Sequence, residues 1–163
     1  MRKGFTMIEL IFVIVILGVL ASVAIPRLAA TRDDAEVAKA ATNLTTAVSD
    51  ITAYYTAKGK FESNAQSDFS KITNALDKSG KLKVKGSKEC VAVTLPANAI
   101  GNNPTQNNSS KVQLKLTFKP SQDPVCKQLT KLPGILTMCG KDTTSSLSGD
   151  CEIQIGGSGG IQF

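Results

Sequence analysis

The chain has 163 residues, 19 Lys and Arg against 13 Asp and Glu, and neither histidine nor tryptophan. Without histidine it lacks the commonest general base, the usual partner of a catalytic nucleophile and the main zinc ligand. Arg2 and Lys3 supply two of the excess cations; without them the formal charge falls from +6 to +4, a solubility charge rather than a nucleic-acid footprint. No nucleophile elbow, phosphate-binding loop or metal motif is present, so neither an enzyme nor a cofactor is expected.

From Phe5 to Ile25 the chain has 21 residues with a single charge, Glu9. That is long enough to cross a hydrocarbon layer of about 30 Å as a helix. Arg2 and Lys3 before it predict a cytoplasmic start and an exported remainder. Three arrangements satisfy this pattern. One is a secretory signal cleaved at Ser22-Val23-Ala24. Another is a permanent single-span anchor. The last is a short leader cut after Gly4, which keeps the apolar run on the mature protein. A carboxylate at the head of the run costs a few kcal/mol on an insertion scale of about 2.5–3.5 kcal/mol, and a secretory signal has no use for it.

Helical character continues beyond Pro26. Val37, Ala41, Leu44, Val48, Ile51 and Tyr55 alternate steps of four and three, forming one stripe. Arg32, Asp33, Glu36, Lys39, Asn43, Thr46 and Asp50 fill the opposite face, and Gly59 is the expected stop. Pro26 removes one backbone hydrogen bond and kinks a helix without having to end it. One helix from Phe5 to about Ala57 would be about 80 Å long at 1.5 Å per residue.

After Lys60 the composition turns polar. Asp68–Leu76 reads as a short helix capped by Asp68 or Ser67. Lys78–Ser87 reads as a solvated loop or an edge strand. Cys90–Leu95, Val112–Phe118, Ile135–Cys139 and Cys151–Ile155 are strand candidates, and the second alternates strictly. NAIGNNPTQNNSS between the first two is a turn-rich loop, in which Asn107 and Asn108 fit a loose glycosylation pattern. Asp123 and Pro124 read as the N-cap and first position of a helical turn to Leu129. Gly156-Gly157-Ser158-Gly159-Gly160 reads as a flexible tail.

The four cysteines, Cys90, Cys126, Cys139 and Cys151, follow an export-like segment, which points to two disulfides and an oxidising compartment. A four-thiolate zinc site would favour Cys-x-x-Cys pairs, and there are none. Three pairings remain possible. The expected fold is α+β: a long N-terminal α-helix, its apolar half protruding and its amphipathic half packed on an antiparallel β-sheet, with a disulfide-stapled C-terminal region.

Lys3-Gly4-Phe5-Thr6-Met7-Ile8-Glu9-Leu10, with the apolar run and Pro26 behind it, resembles the class III prepilin signal of type IV pilins and type II secretion pseudopilins. The resemblance covers about residues 1–57. It implies cleavage after Gly4 by an aspartyl prepilin peptidase and N-methylation of Phe5. It also implies that Glu9 pairs with the new Phe5 amine, its own or a neighbour's, and so sets the register of assembly. Gly18 and Pro26 would bracket a stretch that loses helical bonding in the filament; close helix packing is the other reading of Gly18. The implied organisation is a leader at 1–4, a transmembrane and filament-core half-helix at 5–26, an amphipathic half-helix at 27–58 and a globular part at 59–163.

The partners implied are copies of the same chain in a helical filament, the prepilin peptidase, an inner-membrane assembly platform, and the membrane itself before assembly. No nucleic-acid partner is expected. The protein would reside in the inner membrane and then in an extracellular pilus or a periplasmic pseudopilus. By analogy Cys126–Cys151 is an exposed segment that contacts other subunits. A type IV pilus subunit for adhesion or motility is the leading reading and a secretion pseudopilin the alternative. Major secretion pseudopilins often carry a calcium site on a C-terminal acidic loop, and Asp142, Asp150 and Glu152 do not form a recognisable one. A DNA-uptake minor pilin would require Lys81, Lys83, Lys85 and Lys88 to form a phosphate-binding stripe.

Overall fold

The computed structural model describes residues 4–101, 111–119 and 123–156, with all of their side chains except that of Ala29. Arg2 and Lys3, Asn107 and Asn108, and Gly157 to Gly160 lie outside the described residues. The chain divides into two compact units, Met1–Ala35 and Glu36–Phe163. Helix α1, Met7–Lys58, contributes to both. From Leu10 to Ile25, within the first unit, it carries no charged side chain. It ends in the second at Gly59, whose φ of 69° is open to glycine and whose N–H donates to the Tyr55 carbonyl at 2.7 Å.

The second unit is built on a four-stranded antiparallel meander in the order β1-β2-β3-β4. The strands are β1 Lys81–Val84, β2 Lys88–Thr94, β3 Val112–Phe118 and β4 Gly149–Gly156. Two short helices, α2 Pro124–Leu129 and α3 Pro133–Met138, connect β3 to β4. Val112, Leu114, Leu116 and Phe118 alternate inward along β3. Across the ladders Val91 faces Phe118 and Leu116 faces Cys151. Val37, Ala40, Leu44 and Ile51 of α1 share one buried cluster with these strand residues, so the amphipathic stripe does pack on the sheet.

The stripe itself is shifted from the sequence expectation. Val37, Ala40, Leu44, Ala47 and Ile51 are buried, whereas Ala41, Val48 and Tyr55 are only half-buried. The buried line runs Val37, Ala40, Leu44, Ala47, Ile51, in steps of three and four, and Ala41, Val48 and Tyr55 flank it.

Three further expectations change. Ile135–Cys139 is not a strand but lies in and just after α3. Pro133 fits its first turn, and Ile135 and Leu136 are both buried, which successive residues of a one-sided strand cannot be. The helix closes on Gly140, at φ 64°, with Lys141 N–H donating to the Leu136 carbonyl at 2.9 Å and Gly140 N–H to Thr137 at 3.0 Å, a Schellman ending. The helix expected over Asp68–Leu76 is a single 3-10 turn, Phe69–Lys71, capped as expected by Asp68. Beyond it the Thr73 hydroxyl donates to Asp50 Oδ2 at 2.8 Å and accepts from Ala75 N–H at 3.1 Å. Finally, Gly156 belongs to β4 and pairs with Val112.

Lys78–Ser87 contains the edge strand β1, reached through Gly80 at φ 73°. A Cβ built on Gly80 would come 2.5 Å from the buried ring of Phe69. Both disulfides staple the connections to the sheet. Cys90 of β2 joins Cys126 of α2 with a Cα–Cα distance of 5.1 Å, and Cys139 joins Cys151 of β4 at 5.5 Å. Each closed loop stabilises the fold by about 2–4 kcal/mol.

Candidate assembly site on the N-terminal helix

Helix α1 begins with a reciprocal pair of hydrogen bonds. Thr6 N–H donates to Glu9 Oε2 at 2.8 Å, and the Thr6 hydroxyl donates to the same oxygen at 2.7 Å. The Glu9 N–H returns toward Thr6 Oγ1 at 3.4 Å. This is a capping box, with Thr6 as N-cap and Glu9 at the third helical position. Helix-opening N–H groups have no partner in the preceding turn, and this pair covers two of them. The helix dipole also favours a carboxylate in the first turn. Glu9 therefore has its own ligands within the uncleaved chain, where the Phe5 nitrogen is an amide and offers no cation to pair with. Thr6 was legible in the sequence: Thr-x-x-Glu before an apolar run is the signature of this box.

Beyond the cap, the apolar side chains stand in the open. Phe5 is 91% exposed, and even Ile16, the most covered of the large apolar residues in the run, is 42% exposed. Helix α1 is long and apolar enough in this part to cross a membrane. Gly18 and Pro26 both lie within the continuous helix of the single chain. A Cβ placed on Gly18 would meet nothing within 4 Å, so no contact within the chain demands a glycine there. Pro26 lacks the N–H that would bond four residues back.

Gly4, Phe5 and Glu9 thus sit together at the start of α1, and Gly18 and Pro26 follow along the same helix. The four cysteines belong to the second unit. The Cys126–Cys151 segment is only partly a surface: Leu129, Ile135, Leu136 and Leu147 are buried in it, while Lys127, Lys131 and Gly140 to Ser146 are exposed.

The lysines weighed as a phosphate stripe are largely committed elsewhere. Lys81 pairs with Glu89 at 3.1 Å, Lys83 with Asp77 at 2.8 Å and Lys85 with Asp123 at 3.8 Å. Lys119 also reaches Glu89, at 2.6 Å, and holds its carboxyl below the usual range. Asp150 is bound to Lys115 and Thr117, both at 2.7 Å, and no group of three His, Cys, Asp or Glu side chains converges among the described residues.

Residues 1–25 match the protein-family model for the prokaryotic N-terminal methylation motif. With the apolar helix, the antiparallel sheet and the two disulfides, this match is consistent with the type IV pilin and pseudopilin family. The matched motif is a class III prepilin signal, which points to a structural protein and is consistent with membrane anchoring before assembly. Neither a curated protein nor a solved structure matches the chain.

Proposed function

We propose that the protein is a structural subunit of a type IV pilus, polymerising through α1 after cleavage at Gly4 and methylation of Phe5. The observation that carries this reading is the exposure of every described apolar side chain from Phe5 to Leu28, on a helix whose N-terminus is already capped. Burying such a run at about 25 cal/mol per Å² rewards first a bilayer and then neighbouring copies of the same helix. Glu9 passes from its capping partner Thr6 to a mature Phe5 amine as subunits enter the filament, because an unpaired charge in the helical core is costly. Gly18 and Pro26 supply the weak point at which the helix yields in that packing.

A pilus is favoured over a secretion pseudopilus by the two disulfides that fix α2, α3 and β4, giving the exported unit a stapled surface between Cys126 and Cys151. The test is to express Glu9→Ala in the native host and look for surface filaments by electron microscopy. The reading expects abundant membrane-inserted subunit and no filaments. Normal filaments from Glu9→Ala would refute the pairing role, and loss of secretion with no surface filaments in the wild type would favour the pseudopilus.

A further inference from the structure

The second unit contains an open cavity of about 550 Å³ next to the end of α1, lined by Tyr54, Phe61, Glu62, Ser63, Asn64 and two lysines, Lys58 and Lys60, the latter already engaged elsewhere. The size falls within the range of about 300–1,000 Å³ typical of small-ligand sites. Its apolar floor is pinned. Phe61 is fully buried and stacks on Tyr54 with ring centroids 5.9 Å apart and planes 3° from parallel, and Tyr55 braces Phe61 from 5.6 Å. The backbone beneath is held by Phe61 N–H on the Ala99 carbonyl at 2.7 Å and Gly101 N–H on the Phe61 carbonyl at 2.9 Å.

The rim is polar and largely unspent. The side chains of Ser63 and Asn64 are exposed and hydrogen-bond to no group among the described residues. Glu62 is neutralised by Lys71 at 2.9 Å. The Lys58 ammonium stands over the Tyr54 ring, 5.3 Å from its centre; it adds to the pull of Lys71 on Glu62 but forms no close ion pair among the described residues. An aromatic wall, an uncharged hydroxyl and amide, and one cation without a salt-bridge partner suit a ligand with C–H faces, many hydroxyls and a negative charge.

We propose that this cavity binds an acidic saccharide, with Tyr54 against the sugar ring, Ser63 and Asn64 on its hydroxyls and Lys58 on its carboxylate. The cavity residues all belong to the second unit, so the proposal does not rest on the filament role.

The test is a titration of the full-length protein in detergent micelles, followed by ligand-observed NMR, with a glucuronic-acid-containing disaccharide and with neutral cellobiose. The acidic sugar is expected to saturate and to bind at least about tenfold more tightly than cellobiose, the worth of roughly one charge-assisted hydrogen bond. Lys58→Gln should remove that preference and Asn64→Ala should weaken both sugars. Both residues are exposed, so neither substitution threatens the core. Failure of both sugars to saturate, or saturation indifferent to both substitutions, would overturn the site. Equal binding of both sugars, unchanged by Lys58→Gln, would overturn the acidic assignment.

Discussion

Gly156, the last residue of β4, lies so close to the ring of Tyr55 on α1 that a Cβ built on it would come 2.3 Å from Cε1. The glycine is thus required by packing, at a φ that itself asks for nothing special. Gly156→Ala should lower stability by about 1–3 kcal/mol, as overpacking does. Gly134→Ala, where a Cβ would meet nothing within 4 Å, should stay within about 0.5 kcal/mol of wild type. Denaturant melts of the two variants side by side make the comparison, and equal losses would contradict the contact.

The disulfides predict an ordered loss. Cys90–Cys126 closes a separation of 36 residues and Cys139–Cys151 one of 12. Loop-closure entropy makes the first the more stabilising by about 1 kcal/mol. Paired Cys→Ser variants, Cys90/Cys126 and Cys139/Cys151, should both melt lower, the first by more. The reverse order by calorimetry would mean that local packing of α3 outweighs chain entropy.

Acid should unfold the second unit partly through Glu89 and Asp77. Glu89 is held below its usual value by Lys119 first and Lys81 next, despite some burial. For Asp77 burial pushes upward, but the Lys83 ion pair and the N–H groups of Lys81 and Ser79 outweigh it. Carboxyls lowered on folding stabilise above their unfolded pKa, about 4, and lose that contribution as pH falls through the folded value. Stability should therefore be level from about pH 7 to 5 and decline below about 4. Glu89→Gln should shallow that decline in a pH series of denaturant midpoints; an unchanged slope would remove Glu89 from the account.

Gly18 separates the single chain from the assembly. With nothing near its Cβ position, Gly18→Ala should raise helicity in micelles, by about 1 kcal/mol of local propensity. In the native host the same change should reduce filament yield, since the proposed assembly needs the stretch before Pro26 to yield and the methyl would stiffen it. Circular dichroism and filament counts should move in opposite directions; undiminished filaments would make Gly18 incidental.

The sequence carried α1 and its end at Gly59 because apolar periodicity and a terminal glycine are local signals. It also carried β3, and α2 with its cap: Asp123 accepts from Val125 N–H at 2.9 Å. The disulfide pairing was not legible, because it depends on where α2 and α3 fold against the sheet. Over Ile135–Cys139 the short apolar run is ambiguous by itself, and the punctuation decides it: Pro133 at the start and Gly140 at the end mark a helix. The buried stripe includes Ala40 and Ala47 where the pattern points to Ala41 and Val48, since pattern alone cannot tell the centre of a buried face from its flank. The hydrogen bond from Thr73 to Asp50 spans 23 residues and had no local trace. At the N-terminus the charge of Glu9 marks its position but not its partner in the uncleaved chain; that partner, Thr6, lies in the capping spacing Thr-x-x-Glu.

The most direct test of the filament account is the intact mass and N-terminal sequence of the protein from its native host, with and without reduction. The account predicts a chain beginning at N-methyl-Phe5, four hydrogens lighter before reduction because of its two disulfides. A chain beginning at Ile25 would instead mark an ordinary secreted protein, and the assembly role of Glu9 would go with the segment that was lost.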